Sequence, residues 1–159
     1  MIKTLPLPAT ATRVPHSTNA EVNTLIRTRA DARVALLEGG RRVEFEARLA
    51  ELAREWDIER VLQANAAALV IIGTLLGYRF DRRFLLLPFA VLGFFAQHAL
   101  FGWCPPVPLF RRRGVRTVRE IERERYAVKA LRGDFDSVVL PRTASAERRV
   151  RAALAAVDA

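Results

Sequence analysis

VLQANAAALVIIGTLLGY (Val61–Tyr78) and FLLLPFAVLGFFAQHALFGWCPPVPLF (Phe84–Phe110) decide the fold, with only RFDRR (Arg79–Arg83) between them. Neither long block contains Asp, Glu, Lys or Arg. At about 1.5 Å per residue, the first block makes a helix of roughly 27 Å, close to the ~30 Å hydrocarbon layer of a bilayer. The pattern predicts an all-α protein built on a two-span transmembrane helical hairpin, with amphipathic cytoplasmic helices on both sides.

Working outward, the apolar residues concentrate in these blocks. The chain is 51% hydrophobic, and charge gathers in the flanks. The net charge is +9. Most of the excess falls after the second span, where residues 104–159 carry 13 basic against seven acidic side chains. Basic charge beside a span belongs on the cytoplasmic side, near anionic lipid. Arg111, Arg112, Arg113 and Arg116 are therefore the candidate contacts to lipid head groups. Nucleic acid is not the expected partner, because the excess follows the membrane boundary and Tyr126 is the lone aromatic beside it.

Residues 41–60 hold five Arg, 104–123 hold six, and the connector holds three. That asymmetry places both termini inside the cell. The first fifteen residues lack the basic start and apolar run of a secretory signal.

Local signals divide the chain further. Pro6, Pro8 and Pro15 mark residues 1–18 as a flexible tail. Residues 19–60 read as a cytoplasmic amphipathic region. Asn19 caps a helix from Ala20 with Val22, Ile26, Val34 and Leu37 on one face. Gly39 and Gly40 end it, and a second helix follows with Phe45, Leu49, Leu52 and Trp56 as its stripe. No breaker stands between Arg42 and Gly73, so this helix is expected to continue into the first span. Two arrangements are open for the region: a helical hairpin through the glycine pair, or a helix lying on the lipid surface.

The hairpin itself occupies 61–103. Cys104-Pro105-Pro106-Val107-Pro108 stops the second span near Trp103. Thr117 and Glu120 form a capping box for a basic cytoplasmic helix from Val118 to about Arg132, ended by Gly133, which completes a segment 104–133. Residues 134–159 read as a tail, irregular to 144, with Ser145 capping a short helix that carries Val150, Leu154 and Val157.

Within the hairpin, folding about Asp81 sets Asn65 level with Gln97 and His98, with Gln63 one step nearer the cytoplasm. Such groups need partners in hydrocarbon, so an intramembrane polar cluster is expected. It serves either as a packing clamp or, through His98, as a proton, ion or metal position. Gly73 and Gly77 form a G-x-x-x-G motif whose face Ala66 extends. That face can meet the second span, through Ala90, Gly93 and Ala96, or a second copy of the chain. The homodimer is the favoured reading. Trp56 and Trp103 fall at one boundary and Tyr78 at the other, as an aromatic belt requires. Pro88 falls one turn into the second span.

Cys104, the single cysteine, is either a small apolar residue in a helix stop or a reactive thiol. One thiol offers too few ligands for a metal unless a dimer supplies two. No catalytic residue, metal site or cofactor is assigned.

The stretch Ile58 to about Phe110 resembles the YgaP-like transmembrane domain, a family of two-helix segments of the bacterial inner membrane. The matching features are Arg60 and Asn65 entering the first span, Gly73 and Gly77 within it, and the ending Gly102-Trp103-Cys104-Pro105. The resemblance implies a hairpin with both termini inside. In the family's namesake the segment follows a sulfurtransferase domain and dimerises. Residues 1–57 here read as helical and hold no cysteine, so that activity does not carry over. The resulting expectation is a non-enzymatic dimerising anchor, assembly factor or scaffold, with the lipid bilayer and another membrane protein as partners. The alternatives are a thiol- or metal-handling membrane protein using Cys104, or an auxiliary subunit of a larger complex.

Overall fold

A computed structural model describes residues 7–138 and 144–158. The described residues are helical, with no strand among them. They form α1 (Arg13–His16), α2 (Ala20–Ala35), α3 (Arg42–Arg54), α4 (Ile58–Arg79), α5 (Leu86–Phe101), α6 (Val107–Arg112), α7 (Val118–Arg132) and α8 (Ala146–Asp158). Two compact units result. One comprises Met1–Thr28 and Trp56–Glu120; the other comprises Arg29–Glu55 and Ile121–Ala159.

In the first unit, α4, and α5 together with the 3-10 turn Arg82–Leu85 that leads into it, are long and apolar enough to cross a membrane. They fold back on one another along the glycine face of α4. A Cβ at Gly73 would stand 2.6 Å from Pro88 Cδ, and one at Gly77 would stand 2.5 Å from Leu85 Cδ2. The G-x-x-x-G face is thus filled by the second helix of the same chain. The nearest atoms to Gly73 and Gly77 belong to Leu85, Leu87 and Pro88, whereas a Cβ at Gly93 would meet nothing within 4 Å. Pro88 lies in the first turn of α5, because Arg82–Leu85 winds as a 3-10 turn capped by Asp81. An amide has no intrahelical acceptor there, so proline costs little.

The expected continuous helix from Arg42 into the span is interrupted. Glu55 and Asp57 are extended, and the Asp57 carboxylate accepts from the amides of Glu59 and Arg60 to cap α4. A side-chain acceptor at the N-cap satisfies donors that an uninterrupted helix would have bonded internally, and Asp is among the best residues for it. The Ile58 amide donates instead to the Arg116 carbonyl at 2.7 Å.

The expected flexible tail is corrected in part. Residues 1–6 lie outside the described region, but α1 is ordered with Val14 buried. Val14 joins Ile58, Leu62, Cys104 and Val107 in the core of this unit. The second span ends where Gly102 adopts φ +77° and its amide donates to the His98 carbonyl. A Cβ there would also strike the Arg13 backbone at 2.5 Å. The short helix α6 was not anticipated; its first turn tolerates Pro108 for the reason given for Pro88.

In the second unit, Phe45 and Leu52 of the α3 stripe are buried, as are Ile121 and Val128 of α7. Trp56, which belongs to the first unit, stays half exposed, under the Arg60 guanidinium at 4.4 Å. Glu124 of α7 is 1% exposed and accepts from Arg33 of α2 and Arg48 of α3. The two-helix region is therefore completed by α7. In the first unit, the capping box forms as expected, with Thr117 N to Glu120 Oε2 at 2.8 Å and Glu120 N to Thr117 Oγ at 3.3 Å. Ser145 Oγ accepts from the Arg148 amide at the start of α8. Residues 139–143 and the side chain of Val157 lie outside the described region.

Candidate functional site

The capped first turn of α4 and the last turn of α5 meet at one end of the hairpin. Glu59 sits at the positive end of α4, and His98 sits near the negative end of α5. A carboxylate is favoured at that position of α4, and a protonated imidazole would be favoured at that of α5. Glu59 Oε2 lies 2.9 Å from His98 Nε2, and Glu59 Oε1 accepts from Arg13 Nη2 at 2.8 Å. The His98 side chain is 2% exposed; those of Arg13 and Glu59 are 20% and 31% exposed. The result is a chain of three ionisable groups drawn from α1, α4 and α5.

Cys104 adjoins this chain. It is 3% exposed and packs in the core of this unit with Val14, Ile58, Leu62 and Val107. The buried Nδ1 of His98 has no hydrogen-bond partner among the described residues. With Nε2 directed at a carboxylate, the neutral ring carries its proton on Nε2 and presents Nδ1 as an acceptor. Cys104 also forms part of the wall of a cavity of about 330 Å3 between α4 and α5. Asn65 is the one polar side chain of that wall, and its amide nitrogen donates to the Val61 carbonyl.

The expected polar cluster does not assemble. Gln63 and Asn65 are exposed and Gln97 is half buried, and no hydrogen bond links them to one another or to His98 among the described residues. Asn65 satisfies itself on its own helix, and His98 turns to Glu59. Counting polar residues inside the uncharged blocks missed Glu59 and Arg13. The signal lay in Asp57, which sets the helix start and so places Glu59 in the first turn, within reach of the second span.

The four arginines expected to contact lipid head groups also divide. Arg112 and Arg113 are exposed, but Arg111 is 1% and Arg116 is 2% exposed. Arg111 forks onto Glu120 at 2.6 and 2.7 Å and also donates to the Val115 carbonyl and Asn23 Oδ1. Burial raises the Glu120 pKa, but the hydrogen bonds from Arg111 and the Thr117 backbone outweigh it and hold the carboxyl below its ordinary value. Arg111 is thus a structural cation of the first unit.

Among the described residues no three His, Cys, Asp or Glu side chains form a group that could hold a metal ion. Comparison with protein-family models, with curated proteins and with solved structures finds no match for this chain.

Proposed function

We propose that this is an integral membrane protein in which α4 and α5 cross the bilayer and tether an Arg-rich helical module to its surface. One observation carries the reading. In the most apolar windows of the two helices, only 17% and 11% of the residues are buried inside the protein. The apolar core helix of a water-soluble protein is mostly covered by its neighbours. Here Ile71, Ile72, Leu75, Phe89 and Leu92 stay half or more exposed, an apolar surface that lipid would cover. The outward aromatics support the same placement, with Trp56 and Trp103 at one end of the hairpin and Tyr78 at the other.

The arginine asymmetry favours both termini in the cytoplasm, and the YgaP-like resemblance favours a bacterial inner membrane. The role that fits is an anchor or scaffold. Because the Gly73/Gly77 face is taken within the chain, a second copy or another membrane protein would engage a different side of the hairpin.

Alkaline carbonate washing of membranes tests the proposal. Retention in the pellet is expected. Release into the supernatant would overturn it.

A further inference from the structure

We propose that the cavity between α4 and α5 holds one acyl chain of an anionic phospholipid, whose phosphate is met by Arg113 at the end of α6. The inference deepens the membrane reading and rests on it, because the bilayer is the source of the ligand.

The cavity is a slot suited to an apolar chain. Its α4 wall runs from Leu62 to Leu69, and its α5 wall runs from Leu87 to Phe95. At 1.5 Å per residue these walls are about 10–12 Å long. The volume of about 330 Å3 falls within the range of small-molecule sites, ~300–1,000 Å3. A buried water needs two to four polar partners, and the wall offers one polar side chain, Asn65, whose amide nitrogen already donates to the Val61 carbonyl. Hydrocarbon therefore suits the space better than water does. A helix, about 10–12 Å across, could cover the slot but not enter it, because the seam at Gly73 and Gly77 holds α4 and α5 in contact.

One end of the slot carries the complementary charge. Pro105, Pro106 and Phe110 line the cavity there. The second span ends at Gly102, just before this segment, so α6 lies at head-group depth in the membrane reading. The Phe110 amide donates to the Pro106 carbonyl at 3.1 Å, and the Arg113 amide donates to the Leu109 carbonyl at 3.2 Å. Helical winding thus runs from Pro106 through Arg113. Pro106, Phe110 and Arg113 stand at spacings of four and three, which sets them on one face. Arg113 is the next position beyond the cavity wall on the face that forms it.

The Arg113 side chain is exposed and has no hydrogen bond or ion pair among the described residues. Arg111 is spent on Glu120, so that carboxylate does not compete for it. A guanidinium forks onto phosphate oxygens. Arg112 is exposed too, but it points about 160° around the helix from Phe110. A zwitterionic head group would bring a further cation beside these arginines, and an anionic one does not.

The test uses the full chain, extracted in mild detergent from carbonate-washed membranes, with bound lipid read by native mass spectrometry. Dioleoyl phosphatidylglycerol and dioleoyl phosphatidylcholine are supplied at equal concentration. One phosphatidylglycerol per chain is expected, favoured about fivefold over phosphatidylcholine. Arg113→Gln should abolish the preference, and Arg112→Gln should leave most of it. Ala90→Phe fills the slot from α5 and Ala66→Leu fills it from α4; each should lower binding of both lipids about tenfold. Helical circular dichroism is read on the same samples, and a filled variant that loses helix is replaced by the other.

Equal binding of the two lipids by the wild-type chain would overturn the proposal. So would equal losses in Arg112→Gln and Arg113→Gln, which would assign the effect to bulk charge, or wild-type binding in a folded filled variant. A lipid-free dimer that Ala90→Phe abolishes would also overturn it, with a second copy as the occupant. Release of the chain by carbonate would remove the membrane reading and this one with it. A retained chain that fails the lipid measurements removes this one alone.

Discussion

His98 Nε2 lies 2.9 Å from Glu59 Oε2, which ties the last turn of α5 to the first turn of α4. Arg13 completes the tie from α1. Glu59→Gln removes the charge that this buried ring faces and should destabilise the hairpin by about 1–3 kcal/mol. His98→Gln introduced into that background should cost less than it does alone, with a coupling of roughly 0.5–3 kcal/mol. Thermal unfolding of the four species in detergent micelles measures it. Additive losses would show that the two residues act independently.

Gly73 and Gly77 fix how closely the two long helices approach. A side chain at either position must displace Pro88 or Leu85. Gly73→Leu should destabilise the packed pair by about 1–3 kcal/mol or more. Gly93→Leu, at an open position, should change stability little. Comparison of the two by unfolding in micelles separates packing within one chain from association of two. If the motif served mainly a dimer, Gly73→Leu would lower the crosslinked fraction and leave monomer stability intact.

Glu120 gives the first unit a pH dependence of predictable sign. Burial raises its pKa, but Arg111 and Thr117 lower it further, so the folded value lies under the ordinary 4.5. The stabilisation is complete above 4.5 and is lost as the pH falls through the lower folded value. Glu120→Gln should therefore flatten the decline of stability below that point. Denaturant midpoints measured through the acid range check this. An equally steep decline in the variant would assign the effect to other carboxylates.

Glu124 is the buried anion on which Arg33 and Arg48 converge. Glu124→Ala removes the carboxylate that Arg33 and Arg48 share, though Arg48 keeps Glu51, and should cost about 1–3 kcal/mol. Arg123→Ala breaks a pair with Asp31 in which both side chains are about half exposed, and should cost only ~0–1 kcal/mol. Helical circular dichroism during thermal unfolding distinguishes the two. Equal losses would contradict the burial argument.

The long apolar helices were legible in the sequence because hydropathy over eighteen residues is a cumulative signal that no single neighbour overrides. The caps at Asn19 and Thr117 were legible because their bonds reach only two or three residues along the chain. What escaped depended on distant partners. Nothing near Arg111 announces that its guanidinium is spent on Glu120 and Asn23, so it read as a surface charge. His98 read as a member of an intramembrane cluster because Glu59 lies outside the uncharged block. The interruption at Glu55–Asp57 was missed for another reason. Aspartate is a weak breaker by propensity, and it becomes a helix start only when its carboxylate captures the next turn's amides. Cys104 read as open to either role; the structure buries it among core residues.

The seam between α4 and α5 also implies a rule for inheritance. Bulk is absent on one side because it is present on the other, so Gly73 with Pro88 and Gly77 with Leu85 each behave as a single volume shared between two codons. A genetic selection begun from a Gly77→Ala defect should return revertants that shrink Leu85. Such paired changes would let the packing of the hairpin be traced by breeding alone.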